Sequence, residues 1–413
     1  MNIAYSNYGP QSGVTASLAR ALRERGHRVE ISDATGPLEL RNSKTRLPRP
    51  TPTVLASIAA GLVRFGRQWH AHRWNTPFAF DVHSASAGRA LAALAQQPDA
   101  ILQNGALFAP GPLGKPTRAP YVLLLDNTCA ITSSWPAVPH WGLGTEIQFS
   151  KPWLRRETQL YLGARAIGTF SGLVRDSLVR DYGVDPARVQ VVGAGCNVFP
   201  ERVENHSDGK TFLFVGRHSW IRKGGPVLLR AFELLRRERP QARLILAGPH
   251  DSLAVPEGVT NLGVQPFEKV QELFSQATAL VLPTLREPFG IAYLDALACG
   301  VPCIGTRVGA VPEILEEGRY GLLVPPGEVT GLAAAMLQII DHPERAREMG
   351  AAGRKKVATR CRWTHVADRL LPLLGAASRG EQRDSAAPQA VRALSPPRAE
   401  AREGGREGAE ERG

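Results

Sequence analysis

The sequence predicts an α/β chain of two doubly wound domains, and three observations predict it. Its 413 residues exceed what a single hydrophobic core organises and suit two. The N-terminus reads strand, loop, helix, strand: Met1 to Ser6 is extended, Asn7-Tyr8-Gly9-Pro10-Gln11-Ser12-Gly13 turns, Val14 to Arg25 has helical spacing, and Val29 to Ile31 is extended again. The same order recurs late in the chain. Ala279-Leu280-Val281-Leu282-Pro283 is a buried-strand run, Ile291, Leu294, Leu297 and Ala298 recur at helical spacing, and Val301 to Ile304 is apolar and short.

The elements between follow in order. The glycine spacing of the first loop is not a dinucleotide fingerprint, and no acidic ribose anchor accompanies it. Residues 41–53 are polar and proline-rich. Val54 to Trp74 mixes apolar positions with Arg64, Arg67, His70, His72 and Arg73, and with Phe65, Trp69 and Trp74. Such a segment either covers a sheet as an amphipathic helix or lies on a membrane surface. Strands are predicted at Ala100 to Gln103 and Tyr121 to Leu125, the second opening into Asp126-Asn127-Thr128. His140 lies in a loop rich in Pro and Trp, a weak position for a catalyst. A helix from Trp153 to Gly163, a strand at Ala166 to Thr169 and a helix capped by Ser171 and running to Tyr182 come next.

From Asn197 to Lys210 periodicity is lost, which sets a domain boundary and gives domains 1–198 and 199–377. The second opens with strand Thr211 to Val215, a basic loop from Gly216 to Gly225 and a helix from Pro226 to Arg237. Strand Arg243 to Ala247 ends in Gly248-Pro249-His250, and Phe267 to Gln276 is helical. Glu313 reads as a first-turn acid on a helix. Helices at Glu328 to Asp341, Glu344 to Thr359 and Trp363 to Leu374 follow, and residues 378–413 have the composition of a disordered tail.

Net charge is +12, and residues 1–198 carry 21 Lys/Arg against 12 Asp/Glu. A basic first half suits an anionic partner such as phospholipid headgroups, a lipid-linked phosphate or nucleic acid; an Arg-rich composition accounts for it equally. Nothing at the N-terminus reads as a signal peptide, and the longest apolar run, Val54 to Val63, is too short to span a bilayer. Five cysteines without paired or metal-like spacing suit a reducing cytoplasm.

Chemistry concentrates between Leu285 and Cys303. Pro288 suits a first helical turn, which leaves the amides of Phe289, Gly290 and Ile291 at a positive helix end able to hold a phosphate. Glu287 and Asp295, eight positions apart, would stand about 12 Å from each other along a helix, one on each side of a diphosphate.

The pattern Glu287-Pro288-Phe289-Gly290 with Asp295, followed by Gly300-Val301-Pro302 and Val308-Gly309-Ala310-Val311-Pro312-Glu313-Ile314-Leu315, resembles the C-terminal half of family 4 glycosyltransferases of the GT-B fold. The likeness spans about Met1 to Leu374 and is strongest from Thr211 to Val324. It implies two Rossmann-like domains facing an interdomain cleft, and a retaining, metal-independent hexosyltransferase that needs no cofactor. The enzyme would act in polysaccharide or glycolipid biosynthesis, moving a sugar from a nucleoside diphosphate sugar to a glycan, lipid or small-molecule hydroxyl. The resemblance assigns the donor sugar to Glu287 and the ribose to Asp295, where the family carries a longer glutamate. It assigns the diphosphate to Arg217 and Lys223 in a glycine loop opened by Gly216, with Arg222 a rival for the lysine's role. Gly248 would lie near the nucleotide base. Gly9 and Gly13 would face the acceptor, although a tight turn alone explains them. Asp126 is a candidate for holding the acceptor hydroxyl or taking its proton, and Asn127 and Thr128 beside it are also ordinary turn residues. Fixed cations stabilise the leaving diphosphate most in the transition state. Three rivals remain: a sugar-nucleotide epimerase, a non-catalytic subunit that binds a donor, and a nucleic-acid-binding protein, which leaves the Glu287 segment unexplained.

Overall fold

The computed structural model describes residues 1–8, 13–34, 51–65, 76–135, 149–202, 206–216, 220–249 and 253–380. Its strands form two six-stranded parallel sheets. The first holds β1 (Asn2–Asn7), β2 (Arg28–Asp33), β3 (Ala100–Asn104), β4 (Tyr121–Leu125), β5 (Ala166–Thr169) and β6 (Val189–Val191), in the order β2-β1-β3-β4-β5-β6. The second holds β7 (Thr211–Val215), β8 (Arg243–Ala247), β9 (Val259–Asn261), β10 (Ala279–Leu282), β11 (Cys303–Thr306) and β12 (Gly321–Val324), in the order β12-β11-β10-β7-β8-β9. Parallel strands need crossovers and covered faces, which is why β4 and β10 read as unbroken apolar runs and β3, β4, β5 and β10 are buried throughout.

Thirteen helices among the described residues supply those crossovers and flanks: α1 (Val14–Glu24), α2 (Pro52–Phe65), α3 (Pro77–Ala92), α4 (Cys129–Ser134), α5 (Lys151–Gly163), α6 (Gly172–Tyr182), α7 (Gly225–Glu238), α8 (Phe267–Gln276), α9 (Ile291–Ala298), α10 (Val311–Ile314), α11 (Val329–Asp341), α12 (Pro343–Arg360) and α13 (Trp363–Ser378). Side-chain caps start several of them: Thr76 on the Ala79 amide, Ser150 on Trp153, and Ser171 on Val174. Although it follows the second sheet in sequence, α13 packs against α1, β3, β4 and β5 of the first sheet. Gly168 on β5 lies so close beneath Leu370 that a Cβ there would sit 2.9 Å from its Cδ2.

Order reverses between β1 and β3 in the first sheet and between β7 and β10 in the second. At such switch points adjacent crossovers leave in opposite directions and open a crevice at the carboxyl ends of the strands. Topology alone therefore points to the loops after β1, β7 and β10. Two expectations change here. Pro288 does not lie in a helical turn, because α9 begins at Ile291 with Gly290 as its left-handed N-cap (φ 105°). In α2 the apolar side chains are not all turned to a sheet: Leu55, Leu62 and Val63 are 54%, 50% and 91% exposed, while Val54 is buried. The rest of that predicted segment, residues 66–74, lies outside the described residues, as do His140 and residues 381–413.

Candidate functional site at the sheet switch points

The loops after β7 and β10 are stitched together. The Leu285 amide donates to the Arg222 carbonyl (2.9 Å), and Arg222 Nη1 donates to the Arg286 carbonyl (2.9 Å). Gly224, at φ 76°, lies against the Pro283 carbonyl. This seam sets Lys223 Nζ on Glu287 Oε2, an ion pair whose side chains are only 13% and 6% exposed. Two residues 64 positions apart in sequence thus form one charged centre at the switch point. Arg286, next to Glu287 in the same loop, is also buried, and sequence reading passed over it.

A second turn braces Glu287 from behind. Gly309 follows β11, and its Cα approaches the Glu287 carbonyl so closely that a Cβ would come within 1.7 Å of the oxygen. Ala310 N–H donates to the Pro288 carbonyl (3.2 Å). Below the loop, Thr306 Oγ1 donates to the Thr284 carbonyl (2.6 Å) and Tyr293 Oη donates to that of Leu282 (2.7 Å). The resemblance placed Val308-Gly309-Ala310 in one pattern with Glu287, but nothing in the sequence showed that this turn touches the Glu287 backbone.

The remaining predicted groups fall as follows. Ile291 opens α9, so its amide belongs to the unpaired first turn, whereas those of Phe289 and Gly290 lie in the turn leading to it. With a non-helical stretch between them, the helical spacing expected for Glu287 and Asp295 does not apply. Gly216 leaves β7 with its amide on the Ala247 carbonyl (2.9 Å), and Gly248 leaves β8 with its amide on that of Gly263 (2.6 Å). Arg217 and Gly9 lie outside the described residues.

Asp295 reaches the connection between the sheets. Its Oδ1 accepts from the Asn197 and Val198 amides (2.6 and 3.1 Å). Asn197 Oδ1 in turn accepts from Trp363 Nε1 (3.2 Å) and lies against Gly13. One hub therefore joins the start of α1, the linker, α9 and the returning α13. Burial pushes the Asp295 carboxyl up to about 7, with the two amides pulling the other way. Above about pH 4 an unfolded aspartate has lost its proton while the folded one keeps it, so this group lowers stability progressively from about pH 4 to about pH 7. Asp295→Asn is expected to flatten that part of a plot of melting temperature against pH. An unchanged slope would contradict the burial argument.

From the first half, Asp126 stands at the carboxyl end of β4, exposed to solvent. Although the residue keeps an open face to solvent, the protein around its carboxyl pushes it above the usual aspartate range; its own backbone amide opposes this, Glu287 adds to it and Arg222 counters it. Glu287 and Arg222 therefore act on Asp126 from the other half of the chain. Phe289 packs edge-on to Phe170, 5.3 Å between ring centroids, across the same division. Glu313 crosses it too, its two carboxylate oxygens accepting from the Gly172 and Leu173 amides at the start of α6 (2.9 and 3.0 Å). Its sequence reading as a first-turn acid on its own helix missed that partner.

Comparison with known proteins bears on the family and the fold. Residues 11–198 match the family described as Glycosyltransferase Family 4, and residues 209–342 match the one described as Glycosyl transferases group 1. Alpha-maltose-1-phosphate synthase of Mycolicibacterium smegmatis is 31% identical over 267 residues, 56% of this chain and 67% of that protein. A D-inositol 3-phosphate glycosyltransferase of Streptomyces scabiei is 31% identical over 226 residues, 48% of this chain and 50% of that one. This chain therefore spans between half and two thirds of the length of these two relatives. Among solved structures, sucrose-phosphate synthase from Thermosynechococcus elongatus superposes with a TM-score of 0.67 at 18% identity, covering 92% of this chain and all of that one. HepE of Anabaena, solved with UDP and glucose, gives 0.58 at 16% identity, covering 91% and 100%.

Proposed function

This chain belongs to the family 4, group 1 glycosyltransferases, and we propose that it moves a sugar with retention from a nucleoside diphosphate sugar to a hydroxyl acceptor. The observation that carries the reading is the buried Lys223–Glu287 pair at the switch point of the second sheet. In this reading Lys223, with Arg217 and Arg222, holds the diphosphate while Glu287 takes the sugar hydroxyls. The Ile291 amide assists at the phosphate. Asp295, whose Oδ1 is committed to the linker, offers Oδ2 to the ribose. Val264 and Phe267, exposed near Gly248, offer an apolar platform to the base. Departure of the diphosphate and attack of the acceptor occur on one face of the sugar. The leaving phosphate takes the acceptor proton, and Asp126 orients the hydroxyl.

Because side-chain cations meet the diphosphate, turnover is expected to need no divalent ion. A panel of nucleotide sugars assayed by mass spectrometry with and without chelator tests this. Transfer or slow donor hydrolysis that survives chelation agrees, and loss on chelation or donor isomerisation without transfer contradicts.

No helix of the described residues is long and apolar enough to cross a membrane. We propose instead that the exposed apolar face of α2 rests on an anionic lipid surface, to which the excess of Lys and Arg in residues 1–198 is drawn. Val63→Glu is expected to abolish flotation with phosphatidylglycerol vesicles. Flotation equal to the parent protein's, or none in either, refutes the contact.

A further inference from the structure

Beneath the cleft loop of the first half lies a buried carboxylate with no role in the site described above. Glu157, on α5, is 1% exposed. Its Oε1 accepts from the Cys129 amide (3.0 Å) and the Tyr161 hydroxyl (2.7 Å), and its Oε2 accepts from the Tyr182 hydroxyl (2.6 Å). The Tyr182 hydroxyl in turn accepts from the Ala130 amide (2.9 Å). Burial pushes the Glu157 carboxyl above the usual glutamate range, and the Tyr182 and Tyr161 hydroxyls and the Cys129 amide oppose that push. Burial, with the nearby Glu157 charge, also drives both tyrosine hydroxyls well above their ordinary range, so they remain donors.

These bonds end on one place. Cys129 and Ala130 are the first two residues of α4, the short helix that begins directly after Asp126-Asn127-Thr128. Thr128 caps the same turn from the Ile131 amide (3.2 Å), and its Oγ1 lies 2.8 Å from Ser177 Oγ, which donates to Asp181 Oδ2 (2.8 Å). Asn127 Nδ2 donates to Thr132 Oγ1 (2.6 Å). The cleft loop is thus tied to α5 through Glu157 and to α6 through Tyr182 and Ser177. A buried charge with hydrogen-bond partners but no cation among them adds little stability compared with well-packed apolar groups. What this arrangement supplies is direction: it fixes the height and angle at which β4 delivers Asp126 to the cleft.

We propose that Glu157 is a positioning residue for glycosyl transfer, acting through Tyr182 and the first amides of α4 to hold Asp126 where the acceptor hydroxyl binds. The inference rests on the assignment of Asp126 to the acceptor side. Tyr182→Phe, which removes one oxygen and keeps the ring, is the gentler test, with Glu157→Gln beside it. Hydrogen exchange of the 128–132 amides in the full chain is expected to quicken by about tenfold, the loss of one net hydrogen bond. The Asp126 carboxyl, followed by carbon-13 NMR against its neighbours Glu287 and Arg222, is expected to titrate lower, toward the ordinary aspartate range. UDP, bound by the other half, is expected to bind with affinity unchanged to within about twofold. Unchanged exchange and Asp126 titration in Tyr182→Phe would overturn the proposal, and so would UDP affinity falling with them. Exchange and titration need no turnover, so their failure is distinct from a failure of the transferase reading.

Discussion

Lys223→Ala is expected to lower transfer by roughly two to three orders of magnitude, the effect of deleting one preorganised group that meets developing charge. The effect is large because little water screens the site. Lys223 is 13% exposed, its ammonium is fixed on Glu287, and the second loop is bonded along its backbone to the first. A leaving diphosphate would meet a cation that needs no reorganisation. The same variant strands Glu287, itself 6% exposed, and breaking a buried pair from one side costs about 3–5 kcal/mol. Some loss of folding is therefore expected alongside the loss of rate, and two further variants separate them. Glu287→Gln keeps the shape and removes the stranded charge. The double variant Lys223→Ala/Glu287→Gln is expected to regain melting temperature but not turnover. Recovery of both would make the pair structural alone.

Gly309→Ala is expected to be a severely damaging single-carbon change, because an added Cβ there would make the closest approach found among the described glycines. Its φ of 53° is tolerable for alanine at a cost of about 1–2 kcal/mol. The neighbour is the larger obstacle: the added carbon would lie 1.7 Å from the Glu287 carbonyl and 3.0 Å from that of Pro288. Both are backbone atoms of the site loop, so relief requires moving Glu287 itself. Gly224→Ala presses on the same loop from the other side, 1.9 Å from the Pro283 carbonyl. Gly183→Ala is the control, with positive φ and open space around it. Thermal melts and turnover are expected to fall sharply for the first two. The control should lose only about 1 kcal/mol and no activity. Equal losses in all three would mean that backbone strain, not displacement of Glu287, is responsible.

How far the sequence could be read depended on whether a feature is local. Apolar runs and helical spacing located β4, β5, β8 and β10 to within a residue or two, because a buried parallel strand is apolar on both faces. The Lys223 and Glu287 loops were legible as charged turns after strands; the resemblance assigned both to one donor, and the sheet order is what brings them side by side. The start of α9 was misread since Pro288 is as acceptable in a turn as in a first helical position. A helix from Pro77 carried a readable signal, a threonine followed by proline, but its weakly patterned Ala and Ser content hid it. Asn197, Phe170 and Trp363 were invisible as partners of Asp295 and Phe289. Their contacts join segments more than 90 positions apart, and no local pattern encodes such a meeting.

The account stands on the location of the donor, and a crystal structure with UDP tests it most directly. The expected result is a diphosphate within hydrogen-bonding distance of Lys223 Nζ and the Ile291 amide, with Glu287 facing the open end of the β-phosphate. A cavity of about 720 Å³ lined by His206, Asp208, Thr211 and Arg243 lies at the amino ends of β7 and β8, opposite the ends that carry the site loops. UDP seated there, with the Lys223–Glu287 loops empty, would contradict the account.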